Sequence, residues 1–150
     1  MTENNGIIEE IEEMEEVKIT PDIKEENEQV EKAIELSKKI ATILDAKKAL
    51  DVKIVNVHDK TIIADCFVFA TGTSSTQVNA LADEIEFRLT QEGISPLRTE
   101  GQGSGSWLLI DYGSVIVHVF SVQAKEFYKL EKLWAEGKEI PFDKIPEDNN

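Results

Sequence analysis

The stretch CFVFATGTSSTQVNALADEIEFRLTQEG, residues 66–93, changes its apolar period part-way along, and that change decides the fold. Cys66 to Ala70 is a continuous apolar run of strand length. Thr71, Gly72, Thr73, Ser74 and Ser75 then supply turn and N-cap chemistry. Val78, Leu81, Ala82, Ile85 and Leu89 follow at three- and four-residue steps, the stripe of an amphipathic helix that stops at Gly93. A short strand is expected at Pro96 to Thr99, and the helix before it is long enough to make that strand parallel to the first, with a right-handed crossover. The unit is βαβ.

Upstream, Val52, Ile54, Val55 and Val57 form a β-branched run that reads as another strand. About eight residues separate it from Cys66, too few for a parallel crossover, so the two strands should be antiparallel if adjacent. Before them, Val30, Ala33, Ile34, Ile40, Ile43, Leu44 and the residues from Ala46 to Leu50 predict a helix from Val30 to near Leu50. Downstream, the small and polar residues Gly101 to Ser106 form a loop leading into Trp107 to Ile110. After Asp111, Tyr112, Gly113 and Ser114 comes Val115 to Phe120, and two apolar runs joined through a glycine turn make an antiparallel hairpin. Phe127, Leu130, Leu133 and Trp134 sit at helical steps and predict a last helix. The expected class is α/β, a mixed sheet of about five strands with flanking helices.

The 150 residues suit one domain, and a 41% apolar share is enough for a packed core. The chain contains no apolar run of membrane-spanning length, and its N-terminus lacks the pattern of a secretory signal. The absence of Lys and Arg from the first 16 residues also opposes a transit peptide. One cysteine, Cys66, can form neither an internal disulfide nor a multi-thiolate metal site, and a reducing cytoplasm fits it. The formal charge of −14 is uneven, because residues 1–31 hold 12 acidic and 2 basic side chains. Three parts are expected: an acidic, disordered extension over 1–31, a nearly balanced globular domain over 32–140, and a C-terminal tail over 141–150. Within the extension, Ile7, Ile8, Ile11, Met14 and Val17 could line one side of a short helix, but the glutamates crowding it repel one another, and Pro21 breaks any helix continuing past Thr20. Charge of this sign opposes generic DNA or RNA binding.

Catalytic chemistry is hard to assemble. His58 and His118 are the only histidines, and neither has the neighbours of an HExxH or His-x-His site. Alternation places His118 with Ile116 and Phe120, opposite Val117 and Val119. Cys66 opens an apolar strand with no nearby cation and reads as a small core residue. The Gly101–Gly105 run precedes a strand, where a dinucleotide fingerprint must precede a helix. Thr71 to Ser74 does lead from strand to helix and could hold an anion. A metal-dependent nucleotidyl transferase or nucleotide-binding protein, the alternative function, would also need paired carboxylates for its metal, yet the chain contains no Asp-x-Asp. No metal, cofactor or catalytic residue is expected.

The segments in order carry a resemblance. Ala64 to Ser74 with Gln77 to Glu84, then Glu100-Gly101, Trp107 to Gly113 and Val117 to Ser121, then Glu126 to Trp134, resemble the signatures of the ribosomal silencing factor (Iojap-like) family. The likeness spans about residues 35 to 136, with Cys66 where the family usually has Tyr and Ser106 where a Glu often precedes the Trp. It implies a nucleotidyltransferase-like fold without that fold's catalytic acids, and a non-enzymatic translational repressor. It further implies binding to the large ribosomal subunit through that subunit's ribosomal protein fourteen, steric blocking of small-subunit joining when nutrients fail, and a homodimer in the free state. If the hairpin forms as read, Trp107, Leu109, Asp111, Tyr112 and His118 come together as the ribosomal-protein-binding face. No membrane partner is expected.

Overall fold

The computed structural model describes residues 21–128 and 137–143. Helix α1 spans Pro21–Ala46, strand β1 Leu50–Asn56, β2 Cys66–Gly72, α2 Ser75–Gln91, β3 Arg98–Glu100, β4 Trp107–Asp111, β5 Val115–Ser121, α3 Val122–Tyr128 and β6 Lys138–Ile140. Among the described residues the structure is mixed α/β, with six strands ordered β3-β4-β5-β2-β1-β6.

Helix α1 begins earlier than the apolar stripe from Val30 predicts, with Pro21 as its first residue. The first helical amide has no intrahelical partner, so proline is tolerated there. The helix also stops at Ala46, short of Leu50. Lys48 takes a left-handed φ of 64° and the Ala49 amide bonds back to the Leu44 carbonyl, so Leu50 is free to open β1. Contacts divide the chain between Lys32 and Ala33, so only the later turns of α1 belong with the sheet unit. The apolar pattern over Ile7 to Val17 lies outside the described residues, as do Leu130, Leu133 and Trp134 of the last predicted helix.

The centre of the sheet is the parallel pair β2 and β5, in register from Cys66 beside Val115 to Gly72 beside Ser121. Strand β1 lies antiparallel to β2, and β4 antiparallel to β5, so each flank is a hairpin. Every residue of β5 is buried, as a strand covered on both faces requires. Strand β3 runs parallel to β2, but β5 and β4 lie between them; the crossover through α2 reaches the sheet edge. Its three residues, Arg98, Thr99 and Glu100, alternate between exposed and partly buried, which suits an edge. The sixth strand, β6, pairs antiparallel with Ile54 to Asn56 of β1 and was not anticipated by the apolar pattern.

One face of the sheet carries the main core. Ile40 and Leu44 of α1, and Val78, Leu81, Ile85 and Leu89 of α2, pack on Ile54, Val68, Leu108, Ile110, Val117 and Val119. The opposite face carries a smaller cluster of Val55, Val57, Phe69 and Phe120 with Ala124 of α3. Helix α2 is capped as its sequence predicts: the Ser74 hydroxyl accepts the Gln77 amide at 3.1 Å.

Candidate functional site

Period-two alternation along β4 sends Leu108 and Ile110 into the helix-covered core and Trp107, Leu109 and Asp111 to the other face. Antiparallel register puts Trp107 beside Phe120, Leu109 beside His118 and Asp111 beside Ile116. Parallel register on the far side of β5 sets Phe69 beside His118 and Phe67 beside Ile116. The His118 ring stacks on Phe69, with centroids 5.2 Å apart, and meets Phe67 edge-on at 5.3 Å. Trp107 leans over the strand, 5.2 Å from the Phe120 ring. Phe67 and Phe69 are the part of this cluster that sequence reasoning missed. Their signal was present in the alternation of Phe67 and Phe69, but it needed the β2–β5 pairing to bring them to His118.

Burial decreases across this face. Phe69 and Phe120 are fully buried and His118 is 8% exposed, whereas Trp107 is 36% exposed and Leu109 and Asp111 are partly so. An apolar ledge on β4 therefore meets solvent at its indole. The Trp107 indole Nε1–H donates to His118 Nδ1 at 3.3 Å, which requires a ring unprotonated at Nδ1. Burial supplies that state by pushing the imidazole pKa down to about 4. His118 is thus a neutral hydrogen-bond acceptor fixed beneath Trp107.

Asp111 supports the lower end of the ledge. One carboxylate oxygen accepts the Gly113 amide at 2.7 Å and the other meets Arg98 Nε at 3.2 Å. Tyr112 does not join the other four residues; this corrects the expectation that all five come together. Strand β4 ends at Asp111, and the next residue turns its ring onto the helix-side core. Its phenolic oxygen is buried without a hydrogen-bond partner, and burial, aided by the Glu86 charge, pushes the phenol up to about 12. Tyr112→Phe should therefore be neutral or stabilising by up to about 1 kcal/mol, because it removes a polar atom that has lost water and gained nothing. Chemical denaturation would measure it, and a loss of more than about 1 kcal/mol would reveal a bond to that oxygen.

The remaining candidates have structural places. His58 Nδ1 lies 2.6 Å from Asp65 Oδ1 and ties together the two ends of the β1–β2 loop. Cys66 is fully buried in the main core; burial pushes its thiol pKa up, with the Ser37 hydroxyl opposing and the Asp65 charge adding. In the turn before α2, the Thr73 amide and hydroxyl both donate to Gln77 Oε1, at 2.6 and 2.8 Å. Those donors, which the sequence offered to an anion, are engaged within the turn. Among the described residues, no group of three or more His, Cys, Asp or Glu side chains gathers as metal ligands would, and no helix is long and apolar enough to cross a membrane.

Comparison with known proteins gives a consistent result. Residues 30–150 match the family model described as ribosomal silencing factor during starvation. A ribosomal silencing factor of Haemophilus influenzae is 39% identical over 92 residues, covering 61% of this chain and 90% of its own. One from Halalkalibacterium halodurans is 36% identical over 111 residues, 74% of this chain and 95% of its own. A crystal structure of a Chromobacterium violaceum protein superimposes with a TM-score of 0.63 at 28% identity, covering 80% of this chain and 96% of that one.

Proposed function

The chain belongs to the ribosomal silencing factor family, and from that premise we propose that it binds the large ribosomal subunit and represses translation by blocking the small subunit from joining. The observation that carries the reading is the β4 ledge, where Trp107 stands partly exposed over a buried aromatic layer, with Leu109 beside it. A large rigid aromatic on a packed base is the usual anchor of a protein interface. The mechanism is occlusion, so no bond is made or broken and no cofactor is required. The proposed partner on the subunit is its ribosomal protein fourteen, a basic protein on which the nearly balanced domain would dock while its acidic groups limit stray RNA binding. Free copies are proposed to pair as homodimers, which a concentration series in analytical ultracentrifugation would detect.

Co-sedimentation with purified large subunits, small subunits and intact ribosomes tests the proposal. Retention by free large subunits alone is expected; retention by small subunits, or equal retention by intact ribosomes, would overturn it. A cytoplasmic location is proposed with the same role.

The acidic extension is proposed to act as a filter against stray RNA. Deleting residues 1–24, most of the segment that carries the excess charge, should leave the thermal midpoint of the domain nearly unchanged, since its apolar residues are too few to offset the entropy of ordering it. Retention on nonspecific RNA should rise, while affinity for large subunits changes little, because at physiological salt the extension's charge is screened beyond about 8 Å. Salt titrations of the full and shortened chains measure both. A marked loss of subunit affinity on shortening, strongest at low salt, would make the extension a docking arm.

A further inference from the structure

The loop between β3 and β4 leads directly into Trp107, and its glycines are not equivalent. Gly101, Gly103 and Gly105 all take positive φ, at 79°, 82° and 69°. A Cβ on Gly103 would meet nothing within 4 Å, but one on Gly101 would lie 2.1 Å from the Trp107 carbonyl oxygen, and one on Gly105 would lie 2.2 Å from Ser75 Cβ. Ser75 is the first residue of α2. The same helix grips the loop a second time, since Asn79 Oδ1 accepts the Gly103 amide at 3.2 Å while Asn79 Nδ2 donates to the Ser75 carbonyl at 3.0 Å. The far end of the loop is fixed to the sheet, where the Ser121 amide donates to the Ser106 carbonyl at 2.8 Å. The loop is therefore closed on itself at Gly101, pressed on α2 at Gly105 and pinned to β5 immediately before the indole.

We propose that Gly105 and Asn79 are positioning residues for the docking ledge: they seat the loop on the first turns of α2 and so fix where Trp107 stands over His118 and Phe120. The inference rests on the reading of the ledge as the ribosome-docking face, but its first readout does not depend on that reading. The Trp107 indole N–H, assigned in a nitrogen-15 spectrum by its loss in Trp107→Phe, reports the bond to His118 directly. Gly103 provides the internal control, because alanine there suffers the same positive φ without a clash.

In the full chain, Gly105→Ala should shift the indole signal and weaken large-subunit binding roughly tenfold. Asn79→Ala should shift it in the same direction and weaken binding by roughly threefold. Gly103→Ala should lower the thermal midpoint but leave the indole signal and the affinity within about twofold of the parent. Adding Ser75→Gly to Gly105→Ala removes the nearest clashing atom and should return part of both losses. If Gly105→Ala fails to fold, the Asn79→Ala result decides. An indole signal unmoved by Gly105→Ala and Asn79→Ala, or moved equally by Gly103→Ala, would overturn the proposal. A shifted indole in Gly105→Ala, with Trp107→Ala itself binding large subunits normally, would uphold the positioning and overturn the docking reading instead.

Discussion

Trp107→Ala is expected to weaken binding to free large subunits by about 1 to 3 kcal/mol, roughly fivefold to 150-fold, while unfolding stays cooperative. Trp107 is 36% exposed, so about a third of its surface remains for a partner to cover, and its removal costs the monomer less than a core truncation would. The layer beneath it keeps its other contacts, because Phe69 and Phe120 also cluster with Val55, Val57 and Ala124. Equilibrium binding to purified large subunits, with circular dichroism melting of the same samples, separates the two effects. Undiminished affinity would remove the β4 ledge from the interface. A lost melting transition would mean that Trp107 is a core residue.

His118 sets an acid limit on stability. In the unfolded chain an ordinary imidazole takes up its proton near pH 6.5, whereas in the folded chain burial holds that uptake back to about pH 4. The unfolded state therefore binds more protons in that window, so stability is complete above about pH 6.5 and falls as the pH drops towards 4. The contribution at stake is about 3 kcal/mol. A proton on Nδ1 would also set an N–H against the Trp107 N–H that now donates to it. His118→Phe keeps the stacking with Phe69 and Phe120 but cannot titrate. Denaturant unfolding at pH 7 and pH 4 should show the parent losing about 3 kcal/mol more than the variant, carboxylate effects being common to both. Parallel losses in the two proteins would place the His118 ring in water.

Local chemistry explains which parts of this could be read from the chain. The β2–α2 junction was readable because strand period, the Ser74 cap and the helical stripe all agree within one stretch. The place of β3 was not, since residues 98–100 specify a direction through the crossover but carry nothing that says which strand they will meet. The stronger clue to the sheet order lies in β5, whose unbroken apolar run from Val115 to Val117 and on through Val119 and Phe120 demands a central position. β6 escaped notice because three residues before Pro141 have no pattern of their own, and only pairing with β1 makes them a strand. Adjacency groups Tyr112 with Asp111, although alternation carried one step further assigns it to the opposite face. His118 is the most readable residue of the candidate site, a lone imidazole in a run of valines.

The central parallel pair also imposes an order on synthesis. β1 and β2 are close in sequence and can pair as soon as both have left the exit tunnel, but β2 must wait for residues 115–121 to complete its other side. Until then a nascent chain exposes one edge of a strand that contains Phe67, Val68 and Phe69, an adhesive surface for any neighbouring chain. The β4–β5 hairpin closes that edge and builds the Trp107 ledge in the same step, because β4 has no other partner to hold it against the centre of the sheet. A ribosome making this protein consequently carries no competent copy of it until most of the chain has emerged.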